Sequence, residues 1–233
     1  MHSSLRPFFS QAGLRHGARA ALPAFPGFIM FSAAFGTAAA QKGLSLAEAM
    51  GLSAFVYAGA SQMVGLEVWQ QVWTPTTILT IMTVTAVVNA RMILLGATVQ
   101  PWLRHEPMAR NLLNLFLITE AGWLVGTRYY NEGGRDVGVL LGAALILWIV
   151  WQIATIVGFF AGALVPEPKT FGLDFVMPIF FSVMLVPLWK GARPALPWLV
   201  AGAVSFVTHA LLPGYGYIVA GALAGVIAGM LIE

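Results

Sequence analysis

The chain has no cysteine, which excludes disulfides and thiolate metal centres. It is also poor in charge: only 9% of its 233 residues are Asp, Glu, Lys or Arg, against about a quarter in a soluble domain. Twelve basic and nine acidic residues leave a net charge of +3 and form no basic stripe, which argues against a nucleic-acid partner. There is no HExxH, phosphate loop or dinucleotide fingerprint, so the sequence signals of metalloprotease and nucleotide chemistry are missing. No enzymatic activity, cofactor or metal site is expected. Residues 1–19 lack a continuous apolar core and do not read as a signal peptide.

What is abundant is hydrocarbon. Apolar residues make up 59% of the chain and the mean hydropathy is +0.82, which predicts an all-α, polytopic helical membrane protein. About eight apolar segments approach the roughly 20 residues that a span requires: 20–40, 46–69, 75–100, 111–129, 137–163, 172–189, 195–212 and 215–232. Residues 1–19 space Leu5, Phe8, Phe9, Ala12 and His16 at helical intervals with Arg6, Arg15 and Arg19 among them, the pattern of a short interfacial helix. Residues 20–233 are expected to form a single transmembrane transport domain.

The loops are short. Ser45-Leu46-Ala47-Glu48 has the spacing of a capping box opening the second segment. If all eight segments cross and the N-terminus is inside, Arg6, Arg15, Arg19, Arg128, Arg135, Lys190 and Arg193 share the inner face. Lys42, Arg104, Arg110 and Lys169 then share the outer face. That basic bias favours a cytoplasmic N-terminus.

Inside the second segment, Ala58-Gly59-Ala60-Ser61-Gln62 places two small residues, a hydroxyl and a carboxamide at membrane depth. An unpaired polar group in hydrocarbon costs several kcal/mol, roughly, so these face a cavity or another helix. One reading is a tightly packed helix crossing with Ser61 bonded back to its own helix; the other is a solute site. Asn89 and Arg91 sit near the centre of the third segment, and a lone arginine at the midplane costs about 3–17 kcal/mol. Its evident partner is Glu120 in the fourth segment, either as a structural counter-ion or as a working carboxylate. Asn89 and Arg91 are two residues apart and face one pocket only if the helix is distorted.

Interruptions are expected near 51–65 and again near 170–187, where Gly172, Asp174, Pro178 and Pro187 occur. Pro23 and Pro26, followed by Gly27 and Gly36, also interrupt the first segment; with the stretch from Thr170 to Pro178 this gives one interrupted segment in each half of the chain, a pattern that points to a transporter's central site. The Gly221, Gly225 and Gly229 ridge marks close packing within the chain or against another subunit. Gly59-Ala60-Ser61 with a distant His209 resembles the serine–histidine pair of rhomboid-type proteases, but Gln62 and Ala210-Leu211-Leu212-Pro213 replace the glycines expected there. Gly214-Tyr215-Gly216 lacks the Thr-Val of a potassium filter.

Taken together, the motifs resemble those of the AzlC family, the large subunits of branched-chain amino acid exporters. The resemblance runs from about Gly17 to Met230 and rests on order and spacing. Its parts are Phe35-Gly36-Thr37-Ala38-Ala39, Gly43-Leu44-Ser45 with Glu48-Ala49, and Val56-Tyr57-Ala58-Gly59-Ala60-Ser61-Gln62. Asn89-Ala90-Arg91, Thr119-Glu120 and Leu173-Asp174-Phe175 with Pro178 follow. At Ile118-Thr119-Glu120 the chain departs from a common Thr-Asp-Glu run, so only Glu120 carries over. The resemblance implies export of valine, leucine, isoleucine or similar solutes across a bacterial inner membrane, with a small AzlD-like membrane subunit. The expected substrate-binding set is Gly59, Ala60, Ser61, Gln62, Asn89, Arg91, Glu120, Asp174 and Pro178. The competing class is a structural or regulatory membrane subunit whose polar residues only hold helices together.

Overall fold

The structure is a computed structural model that describes residues 8–69, 74–164, 191–212 and 216–232, with Ser182, Val186 and Trp189. Asp174, Pro178 and nearly all of the interruption expected near 170–187 lie outside the described residues. The described chain is helical, as expected, and its one β pairing is an isolated bridge between Phe8 and Asp136. It divides into two units, residues 1–62 with 89–166, and residues 63–88 with 167–233.

The first unit is built on one long helix. In chain order it holds α1 (Gln11–Ala20), a 3₁₀ turn (Leu22–Ala24), α2 (Phe25–Gln41), α3 (Leu46–Gly51), a π turn (Leu52–Val56) and the start of α4 (Gly59–Glu67). Helix α5 (Pro75–Asn89) leads back into it, followed by α6 (Arg91–Leu103), α7 (Met108–Phe116), α8 (Glu120–Asn131) and α9 (Gly138–Ala163). Three described stretches are long and apolar enough to cross a bilayer: Gln11–Gln41, Gly138–Ala163 and Ala192–Leu211. A fourth results if Pro75–Asn89 and Arg91–Leu103 make one interrupted span.

The first helical stretch runs parallel to α9 and touches it backbone to backbone. A Cβ on Gly142 would overlap the Leu14 carbonyl, and one on Gly158 the Ala33 carbonyl. Gly17 meets the Val139 carbonyl and Gly36 the Thr155 carbonyl in the same way. Apolar tails compete equally for apolar side chains, so helices in lipid adhere through such close packing and through hydrogen bonds. The Thr37 hydroxyl adds one, donating to the Gly158 carbonyl at 2.9 Å.

Asp136 closes the seam at its first end. Its carboxylate accepts from the Ser10 N–H at 3.0 Å, from the Ser10 hydroxyl, and from the Gly138 N–H at 2.9 Å. Ser10 Oγ in turn accepts from the Gly13 N–H at 2.9 Å, so one contact caps α1 and anchors the start of α9.

Helices α6 and α8 lie side by side and point the same way. Trp102 stacks on Tyr130 at 5.3 Å near their C-terminal ends, and Val99 and Ile118 share a buried cluster with Val137 and Leu140. Residues 104–119 therefore return from the end of α6 to the start of α8 without crossing. The segment 111–129 is not a span: α7 and α8 are separate short helices, about 13 and 18 Å long at 1.5 Å per residue. This corrects the alternating arrangement of charge. Arg110 lies 4.1 Å over the Phe9 ring, and the Phe8 N–H donates to the Arg135 carbonyl at 3.1 Å. Arg104, Arg110, Arg128 and Arg135 thus gather at one end of this unit, not on opposite faces.

In the second unit α10 (Ala192–Leu211) pairs with α11 (Gly216–Ile232). The Gly221, Gly225 and Gly229 ridge is used here within the chain: Gly221 sits against Ser205 and the Ala201 carbonyl, Gly225 against Ala201, and Gly229 near Pro197.

The seam makes a direct prediction. Gly142→Ala drives a methyl into backbone and should destabilise the detergent-solubilised protein by about 1–3 kcal/mol. Gly202→Ala, where a Cβ meets nothing within 4 Å, should be neutral or stabilising, since alanine is the better helix former. Thermal unfolding of the two variants side by side checks this.

Candidate functional site

The second segment breaks where the small residues suggested. Ser45 and Glu48 form the expected capping box and start α3. After Gly51 the turn widens to the π form, with the Tyr57 N–H reaching the Leu52 carbonyl at 3.4 Å. Tyr57 then adopts a left-handed backbone, φ 42° and ψ 40°, before helix resumes at Gly59. A buried aromatic residue in that region is under strain and needs its surroundings to hold it there.

Helix α9 supplies the hold. Its Gln152 amide donates to the Ser53 carbonyl at 3.1 Å and its Trp148 indole to the Ala54 carbonyl at 3.3 Å. The Ser53 and Thr155 hydroxyls are bonded at 3.0 Å. The carbonyls released by the wide turn are therefore held by α9. Next to them Trp151 is ringed by Phe28, Phe31 and Tyr57, each edge-on at 5.5–6.0 Å. Gly59 is needed at this point: a Cβ there would strike the Phe31 and Trp151 rings.

Several buried polar atoms around this break have no partner. They are the Tyr57 hydroxyl, the Trp151 indole N–H, the Gln152 Oε1, and both ends of the Gln62 amide. Gln62 is only 1% exposed. Buried polar groups are normally satisfied, and an unsatisfied one costs about 1–3 kcal/mol. Ser61, by contrast, is satisfied: its hydroxyl donates to Asn89 Oδ1 at 2.5 Å. Gly59 and Ala60 present no polar side chain of their own.

A second interruption follows Asn89. Helix α5 ends there and α6 begins at Arg91, with Ala90 between them. Distortion at this point was the condition for Asn89 and Arg91 to serve one site. The fourth segment breaks as well, at Leu117-Ile118-Thr119, and Thr119 caps α8 by accepting from the Gly122 N–H at 3.3 Å.

Arg91 and Glu120 consequently stand at the first turns of two parallel half-helices. Their side chains meet at 2.5 Å, Nη1 to Oε1, and remain 41% and 49% exposed. The register comes from the rest of the α6 face: Leu95 joins the cluster that includes Trp123, and the Trp123 indole donates to Thr98 Oγ1 at 2.7 Å. Contacts of Gly122 with Ala144 and of Gly126 with Leu140 place Glu120 against the central turns of α9. Two helix amino ends carry partial positive charge towards this point, which favours an anion there. Beside them sit a guanidinium fork and a carboxylate, so the site offers matching groups for both ends of a zwitterion.

The structure brings together Ser61 with Asn89, and Arg91 with Glu120. Asp174 and Pro178 lie outside the described residues. Tyr57 enters the sequence reading only within a family motif and without a role of its own, and Trp151 does not enter it; Trp151 sits in an unbroken apolar run with nothing to mark it. The serine–histidine reading finds different partners for both residues, since Ser61 bonds Asn89 and the His209 ring packs on Tyr217 at 4.9 Å. Among the described residues, no group of three or more His, Cys, Asp or Glu is placed to hold a metal ion.

Comparison with known proteins supports the membrane assignment. The chain is 25% identical over 97% of its length to the inner membrane protein YgaZ of Escherichia coli strain K12, covering 91% of that protein. It is 24% identical over 71% of its length to an uncharacterized membrane protein of Helicobacter pylori strain J99, covering 71% of that chain. No solved structure matches. The AzlC protein family description matches residues 23–165, well over half of the sequence; the chain is a membrane protein and belongs to the AzlC family.

Proposed function

We propose that this chain is the transport subunit of an exporter for branched-chain amino acids, with Arg91 and Glu120 lining the solute path. The observation that carries the reading is the 2.5 Å pair at the amino ends of two interrupted helices. Half-helices whose amino ends meet near the midplane are how many secondary transporters hold a carboxylate. Charged groups that are half exposed cannot face lipid tails without a cost of several kcal/mol, roughly, so their open side faces water or a polar surface. Arg91 and the α8 amino end suit the solute carboxylate, and Glu120 suits its ammonium group. Gln62, buried and unpartnered, is an additional candidate at the neighbouring break. An apolar wall that selects by size discriminates weakly, since one methylene is worth about 1–3 kcal/mol; a group of similar aliphatic amino acids is therefore the natural substrate class.

The same reading places the chain in a bacterial inner membrane. Arg104, Arg110, Arg128 and Arg135 at one end of the first unit favour that end as cytoplasmic, and the N-terminus lies beside it through Phe8 and Arg135. A small AzlD-like membrane subunit completes the transporter.

Three outcomes test this. In vesicles, efflux of radiolabelled valine should require co-expression of the small subunit, and the two should co-purify; full flux from this chain alone would overturn the two-subunit reading. Arg91→Lys should reduce efflux at least about tenfold, because a compact ammonium cannot reproduce the planar fork. It should cost no more than about 1 kcal/mol in stability, since exposed ion pairs contribute little. Wild-type efflux in the double variant Arg91→Leu with Glu120→Leu would exclude both charges from transport.

A further inference from the structure

A cavity of about 590 Å³ opens between α1 and α8, running along α8 from Glu132 to Ala121 beside Glu120, with Val139 of α9 in its lining. Its lining is sorted along the helices. His16, Arg128, Tyr129 and Glu132 form the rim at the arginine-rich end of the unit, while Ala20, Pro23, Ala24, Leu124 and Val125 form the walls further in. From Glu132 to Ala121 the groove follows α8 for about 16 Å at 1.5 Å per residue. That is far longer than a free amino acid; the polar rim residues lie at one end, and the other end reaches the turn that carries Glu120.

We infer that this groove holds an anionic phospholipid, with its phosphate at the rim and an acyl chain along the apolar walls. The chemistry fits each part. Arg128 uses its Nε on Glu132 at 2.9 Å, which leaves the outer face of a five-donor guanidinium for a phosphate. His16 lies beside Tyr129 at 5.6 Å between ring centres, and Arg15 and Arg19 flank it on the exposed side of α1. Arg128 and Glu132 balance within the lining, and the exposed Arg15 and Arg19 on α1 add the positive charge around it; basic pockets between helices at a membrane surface recognise acidic head groups. Alanine and proline side chains on the α1 side face Leu124 and Val125 on α8, which gives an acyl chain an apolar path open to the bilayer.

The inference does not depend on what the protein carries, and its test reads binding. The purified full chain, in detergent, is titrated with phosphatidylglycerol, phosphatidylcholine and inorganic phosphate and followed by native mass spectrometry. One equivalent of phosphatidylglycerol should be retained in preference to phosphatidylcholine. Arg128→Gln and His16→Gln should each weaken that retention about fivefold, and Ala20→Phe should block the slot while thermal unfolding stays near wild type. Equal retention of both lipids would remove head-group recognition. Competition by inorganic phosphate at comparable concentration would make the rim a free-anion site. Unchanged retention in all three variants would place the lipid elsewhere and overturn the assignment.

Discussion

Backbone contact between the first helical stretch and α9 is the constraint on which the first unit rests. Glycine at Gly17, Gly36, Gly142 and Gly158 removes the one atom that would hold the helices apart. The Asp136 carboxylate and the Thr37 hydroxyl bind the two stretches near opposite ends. Because α9 is fixed this closely, its remaining faces are available to others. One carries α8 through Ala143 and Leu147, and another holds the wide turn of residues 52–56 through Trp148, Gln152 and Thr155. The wide turn and the start of α8 are thus both stabilised by an unbroken helix.

The breaks themselves share a logic. An interrupted helix releases backbone groups, and within a bilayer these must be satisfied by protein, water or solute. At residues 52–56 the Ser53 and Ala54 carbonyls are taken by α9, leaving side-chain atoms of Tyr57, Trp151, Gln152 and Gln62 as the unsatisfied ones. At Ala90 and Leu117–Thr119 the amino ends of α6 and α8 are left facing a guanidinium and a carboxylate. An acid at the first turn of α8 is favoured by the helix dipole, whereas an arginine at the first turn of α6 is not. Glu120 offsets that disadvantage, which gives the pair a reason to be where it is besides any role with a solute.

Much of this was legible in residue types. The cost of burying Arg91 without a counter-ion pointed to Glu120, and the structure brings them together. Ser45 and Glu48 announced the start of α3, and the small residues around Gly59 announced the break. The hairpin of α7 and α8 was not legible, because Leu117-Ile118 keeps the hydropathy high across the reversal and a change of direction leaves no mark in composition. A signal did exist: Thr119 followed by Glu120 is a helix start in the middle of an apparent span. The glycine pairs at 138 and 142 and at 158 and 162 have the same four-residue spacing as the ridge at Gly221. Spacing says that something packs closely, and only the three-dimensional arrangement says what; the ridge at Gly221 meets α10 of its own chain.

The hairpin also constrains how the protein is made. Neither α7 nor α8 is long enough to be released into lipid as a span, and α8 begins with a carboxylate. Until α9 emerges, α8 can meet α6 through Gly126 and Trp123 but lacks the surface that buries Gly122 and Ala121, so its full packing has to wait for the segment that follows it. Synthesis order and final depth are therefore coupled: α9 is the template that draws an otherwise unstable loop into the membrane. A chain interrupted before residue 138 would leave those twenty-odd residues at the surface, with Arg91 already inserted and its counter-ion outside.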